Sequence, residues 1–438
     1  MPDYAHGFVI SDDRCVACLA CMRVCPTCAI RVRRGKAVVL SELCIDCGSC
    51  LAACPHGAIV ATTGSLEDIA SRFAFKVAVP SPVLFGQFPG EIHADHVVQG
   101  LLAAGFDAVW DYGIELELGA RATVDYLDAW DGPRPVINMM CPVILRLIQV
   151  SYPRMTEQLV QLQPPREIAG RTIKKWYADQ LSVSPDQVAA IYVTACQART
   201  ISIIQPAEGG RSYLDGSVGI PQVYNAVLSV ARAAARAEPA AERTGPELVR
   251  SAAHLRWATP RVFARRMQGR GYLSVTGLAK VIEVFDDIER GRLKGIDFLE
   301  GYACWAGCAN GNLTVDNVYV SQGKLQALMA RLPETDPLTE AEVERRRPSE
   351  DFSLEQPFAP RAAVHAGDLR ERVRRVKEAE RLAAELPGVD CGLCGAPACA
   401  VLARDVAGGA ATIEECVFVS DERLRELRRL HGRDAADD

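Results

Sequence analysis

The sequence predicts an α/β protein of several domains, on three observations. The chain has 438 residues, enough for two to four domains. Its middle alternates short apolar runs, at 76–85, 107–112, 135–141, 189–196 and 297–304, with helical stretches such as 98–105, 143–150 and 219–237. That alternation is the pattern of strands joined by helices. The 17 cysteines are clustered: nine lie in residues 15–54, four in 391–416, and four stand between.

Composition narrows the class. Apolar residues make up 49% and charged residues 24%, which is globular and excludes a wholly disordered chain. The 49 basic and 55 acidic residues leave a net charge of −6, so no basic excess points to nucleic acid or an anionic membrane. The acidic start, MPDYAHGFVISDD, lacks the basic-then-apolar pattern of a secretory signal. No window approaches 18 uninterrupted apolar residues, so no membrane insertion is expected. A cytoplasmic location follows, and with it reduced thiols that serve metal or redox clusters rather than disulfides. The 7 histidines are too few for mixed Cys/His zinc sites to explain the cysteines.

The N-terminal group contains a repeat. Cys15-Val-Ala-Cys18-Leu-Ala-Cys21-Met-Arg-Val-Cys25-Pro26 is answered by Cys44-Ile-Asp-Cys47-Gly-Ser-Cys50-Leu-Ala-Ala-Cys54-Pro55. Three cysteines two residues apart wrap one face of a cubane, and a pseudo-twofold supplies the fourth thiolate from the other run. One [4Fe-4S] cluster is therefore expected on Cys15, Cys18, Cys21 and Cys54, and another on Cys44, Cys47, Cys50 and Cys25. A pair of zinc knuckles is the competing reading, though zinc sites rarely use this triple spacing. Cys28 corresponds to Gly57 in the repeat and reads as a buried spectator thiol. The segment resembles the bacterial two-cluster ferredoxins over about 50 residues.

At the other end, LPGVDCGLCGAPACAVLARDVAGGAATIEECVF spaces its cysteines C-x2-C-x4-C-x16-C. Gly392 and Gly395 let the backbone curl around a cluster where a side chain would clash. The stretch resembles the small four-cysteine iron–sulfur domain found in Rnf-type electron-transport complexes. That resemblance implies a third accessory [4Fe-4S] cluster on Cys391, Cys394, Cys399 and Cys416, with zinc as the alternative.

Cys141, Cys196, Cys304 and Cys308 remain, and four thiolates suit one more [4Fe-4S] cluster. Cys304 and Cys308 are four apart, so a helical turn would put both on one face. Cys141 follows the apolar run PVINMM and precedes Pro142, which suits a strand end opening into a helix. Cys196 follows IYVTA in the same manner, and strand ends are where an open α/β sheet carries its sites. Taken singly, Cys141 and Cys196 also read as buried core thiols.

These three places, Asn138-Met139-Met140-Cys141-Pro142, Thr194-Ala195-Cys196-Gln197-Ala198-Arg199, and Glu300-Gly-Tyr302-Ala-Cys304-Trp305-Ala-Gly307-Cys308, come in the order and spacing of TSCCP, MPCxAK and ExMxCxxGCxxGGG. Over about residues 76–325 the chain thus resembles the catalytic domain of [FeFe] hydrogenases. The resemblance implies that the four cysteines bind the [4Fe-4S] part of an H-cluster. Cys308 would bridge to a di-iron subsite carrying CO and cyanide. It also implies domains at 1–70 (ferredoxin-like), 71–330 (H domain), 331–380 (linker and charged helix) and 381–438 (small helical cluster domain). Residues 233–250 and 331–360 read as linkers or surface insertions, and 368–386 as the charged helix.

The sequence departs from the family where protons should move. The relay thiol before the first cluster cysteine is replaced by Met140, a thioether that cannot carry a proton. Relay carboxylates align with Gly119 and Ala122, although Glu115 and Glu117 lie close by, and the relay serine falls at Val160 or Gln161. The cyanide-binding lysine corresponds to Arg199, a planar fork rather than a compact ammonium. Pocket methionines correspond to Thr194 and Tyr302, and Trp305 replaces a proline beside the cluster. The layout resembles the divergent sensory hydrogenases, which implies slow H2 turnover or H2 sensing. Its partner would be a redox protein, ferredoxin or reductase, or a signalling protein. The alternative is an electron-transfer subunit without the di-iron subsite.

Overall fold

The computed structural model describes residues 4–207, 210–237, 249–361 and 368–419. The N-terminal repeat folds as two short antiparallel pairs. β1 (Phe8–Ile10) pairs with the later β4 (Ile59–Ala61), and β2 (Ile30–Arg33) pairs with β3 (Lys36–Val39). Between them sit the one-turn helices Ala20–Arg23 and Ser49–Ala53, each carrying one cysteine of its half, Cys21 and Cys50.

The middle holds two parallel sheets. The strands in chain order are β5 (Phe75–Pro80), β6 (Ala108–Val109), β7 (Val136–Ile137), β8 (Val188–Thr194), β9 (Gly216–Gly219), β10 (Tyr272–Thr276) and β11 (Phe298–Tyr302). One sheet has the order β6-β5-β8-β9 and the other β10-β11-β7. All seven residues of β8 are buried, as expected of a parallel strand covered on both faces. Alternate side chains serve opposite cores. Ala78, Ile191 and Val193 pack with Val97, Leu101, Val223 and Val227, while Val77, Val79, Ala190 and Tyr192 pack with Tyr112, Leu116 and Ile173.

Several strands are shorter than the apolar runs suggest. The run at 76–85 is a strand only to Pro80, and Pro82–Gln87 is a 3₁₀ helix with proline at its first position. A proline cannot donate to the ladder, and its fixed φ suits a helix start. The run at 107–112 pairs only at Ala108–Val109, because Asp111 Oδ1 accepts the Gly113 N–H at 2.9 Å and starts the helix Gly113–Asp128. The run at 135–141 pairs only at Val136–Ile137, since Asn138 Oδ1 accepts the Met140 N–H at 3.0 Å and turns the chain. The helices at 142–151 and 220–237 stand where the sequence places them.

The stretch 331–360 is more than a linker. Asp336 caps the helix Pro337–Arg346, and the region is tied to the helix Gly113–Asp128 by Arg346–Glu115 at 2.6 Å and Arg347–Asp125 at 2.7 Å. Residues 233–237 end a helix, and 238–248 lie outside the described residues. The charged helix forms at Leu369–Glu385 and packs through Leu382 and Leu386 against Val401, Leu402 and Val406 of the helix Cys399–Ala407.

This C-terminal unit docks on the N-terminal repeat. Arg31 binds Asp405 with two bonds, 2.5 and 2.9 Å, and Arg33 adds one to the same carboxylate at 3.2 Å. Asp405→Ala strands these guanidinium groups in a mostly buried interface, at an expected cost of about 3–5 kcal/mol. Anaerobic thermal unfolding should show it as an earlier transition of the C-terminal unit; an unchanged midpoint would contradict the interface.

Candidate iron–sulfur centres

Each of the middle cysteines follows the carboxyl end of a parallel strand. Cys141 comes after β7 at the start of the helix Pro142–Ser151, and Cys196 comes after β8 at the start of the helix Gln197–Ile204. Cys304 lies in the loop after β11, and Cys308 opens the 3₁₀ turn Cys308–Asn310 that follows. Strand ends of both sheets thus point to one place, and the four cysteines line a single cavity with Cys47, Ser81, Arg199, Tyr302 and Asn312 among its walls. No helical turn joins Cys304 to Cys308. Ala306 and Gly307 take positive φ of 64° and 84°, and a tight turn, Gly307 N–H to Cys304 O at 3.2 Å, brings the two thiols to the cavity instead.

The donor chemistry fits a metal cluster. Burial pushes the thiols of Cys141, Cys304 and Cys196 up, the last to about 11, and their neighbouring thiols push further in the same direction. Such mutual repulsion reverses when a cationic centre takes the thiolates as ligands. The helix N-termini beneath Cys141 and Cys196 favour the same charge.

Arg199 is the one cation among the described residues lining this cavity. Burial opposes its charge, but Tyr192, Cys308 and Tyr112 outweigh that and hold it firmly protonated. Its Nη1 donates to Tyr192 Oη at 2.9 Å and its Nη2 lies 3.7 Å from Cys308 Sγ. Tyr302 also faces the cavity, and its hydroxyl donates to the fully buried Glu300. Glu300 additionally accepts from Tyr272 and from the Val262 and Phe263 amides, so this buried carboxylate is fully satisfied. Thr194 acts behind the wall: its Oγ1 accepts the Cys196 N–H at 3.1 Å and fixes the ligand loop.

Other positions singled out by sequence lie elsewhere. Met140 is buried in the apolar core around the helix Pro142–Ser151 and is not among the cavity residues. Trp305 turns outward, 51% exposed, and meets Tyr319 edge-on at 5.4 Å rather than standing beside the centre. At Gly119 a Cβ would lie 2.6 Å from Pro165 Cγ, so the site has no room for a carboxylate. Ala122 is buried. Glu115 is held by Arg346 and by Trp110 Nε1 at 3.1 Å, and Glu117 by Arg121 and Arg266. Val160 is buried and apolar, and Gln161 is engaged by the Phe358 N–H at 2.8 Å.

In the N-terminal repeat, Cys15, Cys18, Cys21 and Cys54 line one cavity, the set expected from the crossed spacing. Burial pushes Cys50 up to about 12, with Cys47 and Cys25 adding to it, and Cys44 is raised in the same company. The repeat shows in its hydrogen bonds: Cys25 Sγ accepts the Ala29 N–H at 3.1 Å and Cys54 Sγ accepts the Ala58 N–H at 3.3 Å. Cys28 is half-buried rather than buried, and it packs against the apolar core of the C-terminal unit. In that unit burial raises the Cys394 thiol, with Cys416 and Cys391 adding to it.

Sequence reading missed the junction between the repeat and the middle cavity. Cys47 belongs to the repeat yet lines the middle cavity. Asp46 beside it is buried and pairs with Arg146 at 2.6 Å, while Gln197 Nε2 donates to the Asp46 carbonyl at 3.1 Å. Despite burial, His6 and Arg146 hold the Asp46 carboxyl below its usual range. Arg361 straps the junction by donating to the Glu42 and Cys44 carbonyls at 3.0 and 2.7 Å. The available signal was Asp46 itself, a charge between two cluster-type cysteines.

Known families match the same three regions. The model for the iron-only hydrogenase large subunit, C-terminal domain, matches residues 71–230. A 4Fe-4S dicluster domain matches 8–55, and a family described as a putative Fe-S cluster matches 386–418. The periplasmic [Fe] hydrogenase large subunit of Nitratidesulfovibrio vulgaris is 25% identical over 223 residues, 47% of this chain and 53% of that one. One component of the ion-translocating oxidoreductase complex of Azoarcus sp. is 36% identical over 73 residues, 17% of this chain and 40% of that one. A structure of the [FeFe]-hydrogenase HydA1 from Chlamydomonas reinhardtii overlaps 69% of this chain and 97% of its own, at 15% identity and a TM-score of 0.48. The chain spans about half the length of the first of these curated relatives. The protein is a multidomain α/β iron–sulfur protein. More particularly, over residues 71–230 it resembles the C-terminal domain of the iron-only hydrogenase large subunit. No helix among the described residues is long and apolar enough to cross a membrane.

Proposed function

We propose that this protein reacts slowly with H2 at an H-cluster, as a sensor or a low-turnover hydrogenase, by H2 ⇌ 2H+ + 2e−. The observation that carries this reading is the convergence of Cys141, Cys196, Cys304 and Cys308 on one cavity, with Arg199 directed at Cys308. The four thiolates would hold a [4Fe-4S] cluster, Cys308 would bridge to a di-iron subsite, and Arg199 would donate to a cyanide ligand. That subsite, when bound, supplies the H2 chemistry. Tyr302 and Ser81 shape the cavity around it. The three accessory clusters would sit on the cysteine sets already described and exchange electrons with a redox or signalling partner, in the reducing cytoplasm that suits free thiolates. The domain boundaries at 70, 330 and 380 belong to the same proposal.

Slow turnover follows from the missing relay. General acid–base transfer contributes about 10²–10⁴-fold, and it needs groups within hydrogen-bond reach. Met140→Cys would add a thiol, but Gly119 and Ala122 offer it no carboxylate. The expected result is unchanged turnover in this single variant; a large rise would show that the thiol alone was lacking. The reading itself is tested by D2/H+ exchange. Anaerobically matured protein under D2 should release HD slowly. A fully iron-loaded protein that forms no HD would support an electron-transfer subunit instead.

A further inference from the structure

We propose that the C-terminal four-cysteine unit is an electron relay wired in series behind the N-terminal repeat. Electrons delivered at Cys391–Cys416 would pass to the Cys15 set, then to the Cys44 set, then to the middle cavity. The proposal rests on the reading that these cysteine sets hold clusters.

The ligand-bearing loop of the C-terminal unit is seated against the wall of the first cavity. Arg23 Nη2 donates to the Cys391 carbonyl at 3.4 Å, and Arg33 Nη1 donates to the Cys394 carbonyl at 2.9 Å. The Val32 N–H donates to the Gly395 carbonyl at 2.9 Å. Gly395 has a φ of +77°, and a Cβ there would collide with the Val32 carbonyl. A Cβ on Gly392 would lie 2.9 Å from Met22 Cε and 3.5 Å from Leu19 Cδ1. Leu19 and Val32 themselves line the cavity of Cys15, Cys18, Cys21 and Cys54. One layer of side chains therefore separates the two ligand sets.

The other joints are equally close. Cys21 of the first set and Cys44 and Cys50 of the second are buried in one core, with Cys15, Cys25 and Cys54 packed against it. Cys47 of the second set lines the middle cavity, with Asn312 Nδ2 reaching its carbonyl at 3.4 Å. At the first and last joints, backbone that carries ligands touches backbone or side chains that line the next site, and at the middle joint the two sets share one core. Each transfer oxidises one cluster by one electron and reduces the next by one; no bond forms or breaks. The outside donor is a one-electron reductant, and dithionite serves as the probe.

The test is electron paramagnetic resonance of the full chain reduced anaerobically with dithionite. Three proteins are compared: wild type, the Cys391→Ala/Cys394→Ala double variant, and Asp405→Arg, which reverses the charge facing Arg31 and Arg33. Wild type should show spin–spin splitting beyond that of the double variant, in which the two repeat clusters still couple to each other. Asp405→Arg should lose that extra splitting while keeping wild-type iron. Should Asp405→Arg fail to fold, the first two proteins still decide the matter. A wild-type spectrum equal to that of the double variant plus an isolated signal would overturn the relay. Iron content reports separately whether the clusters exist, and HD release whether the hydrogenase reading holds.

Discussion

Cys196→Ala is expected to remove the whole middle cluster, lowering iron from about 16 to about 12 atoms per chain, one cubane of four. The reasoning is geometric. Cys196 sits at a strand end where Thr194 Oγ1 fixes its backbone, and alanine there leaves only three thiols of the set, since Cys47 in the same cavity belongs to the repeat. Burial pushes the Cys196 thiol up to about 11, so a cationic centre is what favours its ionised form. HD release should vanish with the cluster. Cys28→Ala is the control, since Cys28 packs against the C-terminal unit and lines neither described cluster cavity. It should keep all the iron. Iron and sulfide analysis of anaerobically reconstituted protein checks both, and a Cys196→Ala protein with full iron would contradict the ligand set.

Arg199→Leu is expected to shift the potential of the middle cluster downward and to remove H2 reactivity. Reduction adds negative charge to the cluster, and Arg199 is the charge that favours it. Hydrogen bonds to charged groups are worth about 1.5–3 kcal/mol, which for a one-electron couple is about 65–130 mV. The variant also leaves the buried Tyr192 hydroxyl and the Cys308 sulfur without this donor. Arg199→Lys keeps the charge and should recover part of the shift, though not the planar fork that reaches both groups. A redox titration followed by electron paramagnetic resonance reads the effect. An unmoved potential in Arg199→Leu would show that the guanidinium does not address the cluster.

Much of this was legible in the chain. The crossed set Cys15, Cys18, Cys21 and Cys54 is expected from the repeat's spacing, and those four residues line one cavity. Cys141 and Cys196 were legible as strand-end residues opening helices, and both stand at helix starts. What sequence could not show was long-range. Nothing local says that Cys47 reaches the middle cavity, that Cys28 faces the C-terminal unit, or that the proline-rich 331–360 stretch buries Glu115 beneath Arg346. Trp305 and Met140 illustrate the same limit. Their neighbours in sequence suggested the cavity, but a turn with positive φ sends Trp305 outward, and core packing takes Met140 away from it. The lack of a carboxylate at position 119, by contrast, is reinforced by packing, since Pro165 occupies the space one would need.

The decisive measurement is infrared spectroscopy of anaerobically matured protein. Bands of metal-bound CO and cyanide, shifting under H2 and absent in Cys308→Ala, are the expected result. A protein with all four cubanes and no such bands would contradict the assignment of H2 chemistry to the middle cavity.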